Sequence, residues 1–397
     1  MIKRYFPALV VLLLILSPFG CKSNSKNLNS PEKIKVGAES MDRYLPLLEG
    51  KNVGLVINHT SLIGETHLLD SLRSQDVRIE KIFAPEHGFR GEADAGAHIS
   101  NGVDKKTGIP IVSLYGKNKK PTDEQLKGLD ILVFDIQDVG VRFYTYISTL
   151  HYIIQAAAEN GVPLIVLDRP NPNGHYVGGP VLEKGFESFV GMNTIPVVYG
   201  LTIGELANMI NEEHWASEKE CDLTVVKCQG YDHTSNYSLP IKPSPNLPND
   251  QSIWLYPSIC LLEPTQISVG RGTDLQFQVL GGPDSNLGSY TFTPVDKPGA
   301  NNPVNEGKKC YGYDLSKIHA RDLGFDLKWL FELYNNYQDK SHFFSNEEFF
   351  DLLAGNSWIR KDLKAGKPLA EVEKKWQEPL NQFKTLRKKY LLYTDFE

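Results

Sequence analysis

The sequence has little of what marks a nucleic-acid-binding or membrane-embedded protein. Its 397 residues include 42 Lys or Arg and 48 Asp or Glu, so the formal net charge is −6. A basic nucleic-acid-binding protein needs the opposite balance or a concentrated cationic face. Only one long apolar run exists, at the N-terminus, which excludes a polytopic membrane protein. Because 41% of the residues are hydrophobic and 23% are charged, a globular core is expected.

The motifs of common cofactor and hydrolase classes are also missing. There is no G-x-x-x-x-G-K-[ST] loop, and Ile57-Asn58-His59 stands where a dinucleotide G-x-G-x-x-G would follow the first predicted strand. The G-x-S-x-G of serine esterases and the H-E-x-x-H of zincins are absent. We therefore expect no nucleotide and no cofactor.

Cysteine is sparse and shows no metal-site spacing. Four cysteines follow Cys21, with no C-x-x-C pair and no His at zinc-finger spacing: Cys221, Cys228, Cys260 and Cys310. A Cys221–Cys228 bridge is conceivable in an oxidising compartment. Residues seven apart on one strand point to opposite faces, however, so buried free thiols are the prediction.

The N-terminal apolar run has the proportions of an export signal. Lys3 and Arg4 precede an apolar stretch over 6–16, which is shorter than the roughly 20 residues that a helix needs to span a bilayer. Ser17-Pro18-Phe19-Gly20-Cys21 resembles a bacterial lipoprotein cleavage box, although Pro18 stands where such boxes usually hold Leu. This predicts a signal peptide over 1–20, a lipid on Cys21, a flexible tether over 21–35 and a membrane-anchored periplasmic protein. An ordinary secretory signal and a soluble periplasmic protein remain the alternative.

Strand-like and helix-like segments alternate after residue 51. Near-continuous apolar strands are predicted at 53–57, 77–84, 109–115, 131–136, 162–167 and 223–226, with helices between them at 65–74, 147–159 and 202–214. This pattern is typical of a Rossmann-like, doubly wound α/β sheet. Beyond residues 256–257, Pro and Gly cluster and the last part turns mainly helical. We predict a Rossmann-like domain over 36–258 and a smaller α+β domain over 259–397.

Unusual polar sequences follow four of the predicted strands. In an open α/β sheet, ligands bind outside the carboxyl ends of the strands, so these segments predict one polar site. They are Asn58-His59-Thr60-Ser61, Pro85-Glu86-His87-Gly88-Phe89-Arg90-Gly91-Glu92, Asp135-Ile136-Gln137-Asp138-Val139-Gly140-Val141-Arg142-Phe143-Tyr144 and Asp168-Arg169-Pro170-Asn171-Pro172.

These motifs resemble the NamZ exo-β-N-acetylmuramidase family, and the resemblance covers nearly all of the chain after residue 45. It is carried by the second, third and fourth of the segments above and by Gly270-Arg271-Gly272-Thr273. It implies a Rossmann-like domain, a smaller C-terminal domain and an active-site cleft between them. It also implies release of N-acetylmuramic acid from the non-reducing ends of peptidoglycan glycan fragments, as expected of an exported protein. The expected partners are peptidoglycan-derived MurNAc-GlcNAc saccharides and, through the lipid, the membrane.

Glu86 is the predicted general acid/base, because the family's proposed catalytic glutamate falls on this Pro-Glu-His position. From the residues alone, a Glu86 that forms a salt bridge with Arg90 or His87 is equally plausible. For the second catalytic group we name Asp135 and Asp138, with Asp168 and Glu92 as competitors. The 2-acetamido group of the substrate offers a third route, and Asp135 could instead cap local amides.

The resemblance also suggests how the substrate is held. The candidates to hold the lactyl carboxylate of muramic acid are Arg142, Arg169 and Arg271, because a guanidinium group matches a carboxylate. Any of them could instead be a structural partner of Asp138 or Asp168. Tyr144 could stack on the sugar ring, and His87 could orient Glu86. The full predicted substrate-binding set is Asn58, His87, Arg90, Gln137, Arg142, Tyr144, Asp168, Arg169, Asn171 and Arg271.

Two other function classes stay open at this point. A non-catalytic lipoprotein that captures muropeptides would keep the arginines and tyrosines without needing Glu86. A metal-dependent hydrolase would use Asp135, Asp138 and His87, although no metal site is predicted.

Overall fold

In the computed structural model of the protein, the described residues are 1–2, 33–86, 88–89 and 102–397. The predicted lipidation site Cys21 and the predicted site residues His87 and Arg90 lie outside them. Residues Ile34–Glu397 form one compact unit. Its strands are β1 (Val53–Ile57), β2 (Leu62–Ile63), β3 (Thr66–His67), β4 (Ile79–Ala84), β5 (Gly102–Val103), β6 (Pro110–Ser113), β7 (Ile131–Asp135), β8 (Leu164–Leu167), β9 (Gly178–Val181), β10 (Pro196–Val198), β11 (Leu223–Val226), β12 (Val279–Gly282), β13 (Tyr290–Phe292) and β14 (Cys310–Asp314).

The helices are mostly short. They are α1 (Met41–Leu48), α2 (Leu68–Arg73), α3 (Asp123–Leu126), α4 (Tyr146–Asn160), α5 (Ile203–Glu212), α6 (Asp250–Ile259), α7 (Lys328–Asn336), α8 (Glu347–Ala354), α9 (Trp358–Lys364), α10 (Leu369–Lys374) and α11 (Gln377–Arg387). In the part of the chain that the structure describes, no helix is both long and apolar enough to cross a membrane.

The predicted doubly wound sheet is confirmed. Its strand order is β11-β8-β7-β1-β4-β6-β5, and every pairing is parallel except that of β5 with β6. All residues of β1, β7 and β8 are buried, as expected for parallel strands covered on both faces. The chain runs outward from β1 through β4 on one side and through β7 on the other. The carboxyl end of β1 is therefore the switch point where such sheets bind ligands.

Local sequence explains where the helices start and stop. Thr202 caps α5 in a capping box, with Glu205 reaching back to the Thr202 amide. Pro379 lies in the first turn of α11, where it removes no helical hydrogen bond. The helix predicted over 65–74 is shorter than expected because β2 and β3 pair in a hairpin around Gly64, whose φ is 58°.

The C-terminal part is built around a three-stranded antiparallel sheet of order β12-β14-β13, with α7 to α11 packed in the same apolar core as α4. Within the described residues the four cysteines are buried and free, as the sequence predicts.

Candidate active site

A cavity of about 150 Å³ opens beside the carboxyl end of β4. Residues from both halves of the chain line it, including the segment before α4, the C-terminal end of α6 and the loop before β12. The polar side chains on its wall are Glu86, Tyr144, Thr145, Tyr146, Ser244, Asn246, Tyr256, Cys260, Glu263 and Arg271.

Glu86 reaches the cavity because the chain turns sharply after β4. The amide of Gly88 donates to the carbonyl of Pro85 at 3.0 Å, and Gly88 has a φ of 75°, in the left-handed region that favours glycine. Glu86 is half-buried, and its Oε2 accepts a hydrogen bond from Thr145 Oγ1 at 2.9 Å. The Tyr115 hydroxyl also donates to Glu86; burial, and then the nearby carboxylate, raise the pKa of Tyr115 to about 12. Two neutral hydroxyl donors therefore orient the Glu86 carboxylate.

Arg271 enters the cavity from a tightly folded loop. Gly270 and Gly272 flank it with φ values of 82° and 78°, and a Cβ on either would lie within 2.5 Å of a backbone oxygen. Arg271 Nε donates to Glu263 Oε1. Burial lowers the pKa of Arg271, but the Glu263 carboxylate outweighs it and holds this pKa above its ordinary value. The guanidinium therefore stays charged.

The ring of Phe277 covers one side of this guanidinium, whose Cζ lies 5.3 Å from the ring centroid. Phe277 is buried and has a φ of 55°. A bulky side chain in this left-handed region costs about 1–3 kcal/mol, so the surrounding structure must impose the conformation.

Asp135 and Arg169 lie away from the cavity and pair with each other. Asp135 ends β7, Arg169 follows β8, and both side chains are almost fully buried. Arg169 Nε and Nη2 donate to the two carboxylate oxygens at 2.6 and 2.9 Å, and Nη2 also reaches the Leu62 carbonyl at 3.1 Å. The pair neutralises itself and joins the ends of β7 and β8.

Asp138 is also buried outside the cavity lining. Its Oδ2 accepts from the Gly140 amide at 2.6 Å and from the Tyr199 hydroxyl. Burial raises the pKa of Asp138 to about 6, although both hydrogen bonds oppose this shift. Gln137 Nε2 donates to the carbonyls of Asp138 and Pro170, so it joins the loop after β7 to the segment after β8.

Asp168 caps the neighbouring helix instead of facing the cavity. It accepts from Thr202 Oγ1, the Gly204 amide and the Tyr393 hydroxyl at 2.6–2.8 Å. Burial raises the pKa of Asp168 to about 6. Asn171 likewise donates to a backbone carbonyl, that of Leu201, at 2.8 Å.

Arg142 is a fully buried structural cation. Its two Nη atoms donate to four backbone carbonyls at 2.8–3.0 Å, and burial lowers its pKa to about 9. The four acceptors are Pro180, Ile195, Leu353 and Ala354. Arg142 therefore ties the segment after β7 to the end of α8 and is not available to a carboxylate ligand.

Two models of one family match successive parts of the chain. They are described as exo-β-N-acetylmuramidase NamZ, N-terminal, over residues 53–251, and exo-β-N-acetylmuramidase NamZ, C-terminal, over residues 254–393. The chain is also 38% identical to the peptidoglycan β-N-acetylmuramidase NamZ of Bacillus subtilis (strain 168), covering 98% of this chain and 100% of that protein. This chain belongs to the NamZ exo-β-N-acetylmuramidase family.

Two crystal structures agree with the family and the fold. Both are DUF1343 family proteins from Bacteroides fragilis NCTC 9343. One is 44% identical with a TM-score of 0.84, and the other is 32% identical with a TM-score of 0.78; each comparison covers 91% of this chain and 99% of the other.

The two NamZ-family models meet within α6, and the predicted domain boundary after residue 258 falls near the end of the same helix.

Of the site residues predicted from the sequence, the cavity brings together Glu86, Tyr144 and Arg271. The Tyr144 hydroxyl donates to the Pro243 carbonyl at 2.7 Å, which fixes its ring in the wall. Asn58 does not line the cavity: its Oδ1 accepts from the amide and hydroxyl of Thr60, and its side chain lies against Tyr146 of the cavity wall. Among the described residues, no group of three His, Cys, Asp or Glu side chains could hold a metal ion.

Sequence reasoning missed Thr145, Tyr115 and Glu263. Thr145 directly follows the predicted site residue Tyr144, so its place in the motif is a signal that could have identified it. Tyr115 ends the segment predicted as the third strand, which was not counted among the polar strand ends. Glu263 follows a helix, and a search confined to strand ends could not find it.

Proposed function

We propose that this protein is an exo-acting glycoside hydrolase that releases N-acetylmuramic acid from the non-reducing ends of peptidoglycan glycan fragments. The observation that carries the proposal is that Glu86 and Arg271 line the same cavity. Glycoside hydrolysis needs a carboxylic acid at the glycosidic oxygen, and N-acetylmuramic acid differs from the neutral N-acetylglucosamine by a lactyl carboxylate. The cavity wall thus offers Glu86 as the acid and Arg271 as a cation for the lactyl carboxylate.

Glu86 acts as the general acid. Its proton goes to the glycosidic oxygen as the bond to the anomeric carbon breaks, and the bonding electrons leave with that oxygen. Over the whole reaction, one water molecule supplies the hydroxyl that the anomeric carbon gains and the proton that restores the Glu86 acid. Thr145 and Tyr115 hold the carboxyl group in place through neutral hydroxyls.

Arg271 receives the lactyl carboxylate. Its terminal nitrogens form a planar fork that matches the two oxygens of a carboxylate. Tyr144, held by its bond to Pro243, provides an aromatic wall for the sugar. The metal-dependent alternative loses its support because Asp135 is already paired with Arg169.

Defined glycan fragments test the activity and its direction. The protein, produced from residue 22 onward, should release free N-acetylmuramic acid from a fragment that begins with this sugar at its non-reducing end. It should release nothing from a matched fragment that begins with N-acetylglucosamine. Mass spectrometry would identify the products, and internal cleavage fragments would contradict an exo-acting enzyme.

The proposal extends to export and anchoring on Cys21 in the periplasm. Support comes from the cationic start, the short apolar run and the small residue before the cysteine. Full-length protein expressed with a labelled fatty acid should carry the label in the membrane fraction. Cys21→Ser should lose it, whereas unlabelled wild-type protein in the soluble periplasmic fraction would favour the ordinary secretory signal.

A further inference from the structure

Glu263 occupies an electrostatically unfavourable position on the cavity wall. It directly follows the 3₁₀ turn Cys260–Leu262 that extends α6. A carboxylate at the C-terminal end of a helix faces the negative pole of the helix dipole. Arg271 supplies the cation that offsets this repulsion, so the two residues belong together as a unit.

Both oxygens of Glu263 have hydrogen-bond partners. Oε1 accepts from Arg271 Nε, and Oε2 lies 3.5 Å from Cys260 Sγ, within reach of the thiol proton. The side chain is 22% exposed, and that of Arg271 is 28% exposed. The carboxylate is therefore held in one orientation, with Arg271 as its charged partner.

The Phe277 ring packs against the face of the Arg271 guanidinium. The Phe277 amide donates to the Val269 carbonyl at 2.8 Å, which closes the loop that carries Arg271. The unfavourable φ of Phe277 is thus kept where its ring lies under a charged group in the cavity. Strain at such a position points to a functional constraint.

These contacts use Nε and one face of Arg271 and leave the fork of Nη1 and Nη2 available. Neither Nη atom has a hydrogen-bond partner among the residues that the structure describes. We infer that Glu263 and Phe277 are positioning residues that clamp Arg271, so that its Nη fork selects a sugar carrying a carboxylate over the matching neutral sugar. This inference rests on the proposed function, since it assigns the specificity of the same cavity.

Binding and turnover with a matched ligand pair test the clamp. The ligands are N-acetylmuramic acid and its lactyl carboxamide, measured by titration calorimetry, and their β-4-nitrophenyl glycosides, measured by hydrolysis. Glu263→Ala frees the guanidinium and should weaken binding of the carboxylate by about 10- to 100-fold. It should raise KM for the carboxylate-bearing glycoside by a similar factor. The dissociation constant and KM of the carboxamide ligands, and kcat on both glycosides, should stay within about threefold of the wild type.

Glu263→Gln is the conservative control, because its amide oxygen still accepts from Nε. It should keep the preference for the carboxylate. Arg271→Ala should lose the preference, and adding Glu263→Ala to it should change little further, since both act through one group. If Glu263→Ala is poorly folded, Phe277→Leu should still weaken the carboxylate more than the carboxamide.

Three results would overturn the clamp. One is an equal loss for both ligands in Glu263→Ala and Phe277→Leu, which means general damage to the cavity. Another is abolished kcat on both glycosides in Glu263→Gln, which means that Glu263 itself reacts. The third is equal binding of both ligands by the wild type. Because calorimetry needs no turnover, a wild type that hydrolyses nothing but still prefers the carboxylate would reject the proposed activity and keep the clamp.

Discussion

Breaking the buried pair of Asp135 and Arg169 separates a structural carboxylate from a catalytic one. In Arg169→Met the carboxylate loses a bidentate partner held at 2.6 and 2.9 Å, while its own side chain has no exposed surface. Removing one partner of a buried ion pair typically costs about 3–5 kcal/mol of the free energy of unfolding. For a unit of the length of Ile34–Glu397, this corresponds to a fall in melting temperature of about 4–7 °C.

The double variant Asp135→Asn with Arg169→Met removes the unpaired charge as well. It should recover much of the lost stability, because replacing both members of a buried pair is far less costly than replacing one. Its kcat should stay within about tenfold of the wild type, whereas loss of a general acid or base typically costs about 100- to 10,000-fold.

Calorimetric unfolding and kinetics on the same preparations would measure both quantities. A double variant that regains the wild-type melting temperature but has lost kcat by more than about 1,000-fold would refute this reasoning. Asp135 would then have to act on the substrate, as the sequence prediction allowed.

Three further perturbations test other parts of the structure. Arg142→Leu removes the guanidinium donor from four backbone carbonyls, of which those of Ile195 and Ala354 keep a second donor. It should lower the free energy of unfolding by about 3 kcal/mol in denaturant titration, and a loss below about 0.5 kcal/mol would contradict its structural role. Thr145→Ala removes a donor to Glu86 and should lower kcat about tenfold with KM nearly unchanged, so a change confined to KM would argue against it. Asp138 has a folded-state pKa near 6, above its ordinary value of 3.8, so its contribution to stability is present at low pH and is lost as pH rises through 6. Relative to Asp138→Asn, the wild type should therefore lose up to about 3 kcal/mol of its free energy of unfolding between pH 4 and pH 7, measured by urea titration. If the free energies of unfolding of the two proteins change in parallel with pH, the raised pKa of Asp138 is contradicted.

The central sheet could be predicted because its signals are local and agree with one another. Val53–Ile57 is a continuous apolar run and Ile131–Asp135 is apolar up to its last residue, as expected of parallel strands buried on both faces. The capping box from Thr202 to Glu205 marks the start of α5 by itself.

The roles of the polar strand ends could be predicted only in part. The rule that polar residues gather at the carboxyl ends of parallel strands correctly brought Asp135 near Arg169, which are 34 positions apart. It could not say that the two would neutralise each other, because that depends on the register between β7 and β8. Nor could it find Glu263, whose partner lies eight residues further along a loop shaped by two left-handed glycines.

Turnover of a MurNAc-GlcNAc disaccharide by wild type, Glu86→Gln and Glu218→Gln tests the central claim most directly. Glu218 is an exposed glutamate away from the cavity and serves as the matched control. Wild type and Glu218→Gln should release free N-acetylmuramic acid at similar rates. Glu86→Gln should still bind the disaccharide but should release N-acetylmuramic acid at least about 100-fold more slowly. Equal release by Glu86→Gln and wild type would remove Glu86 from the chemistry, and tight binding without release by all three proteins would leave a capture protein instead of an enzyme.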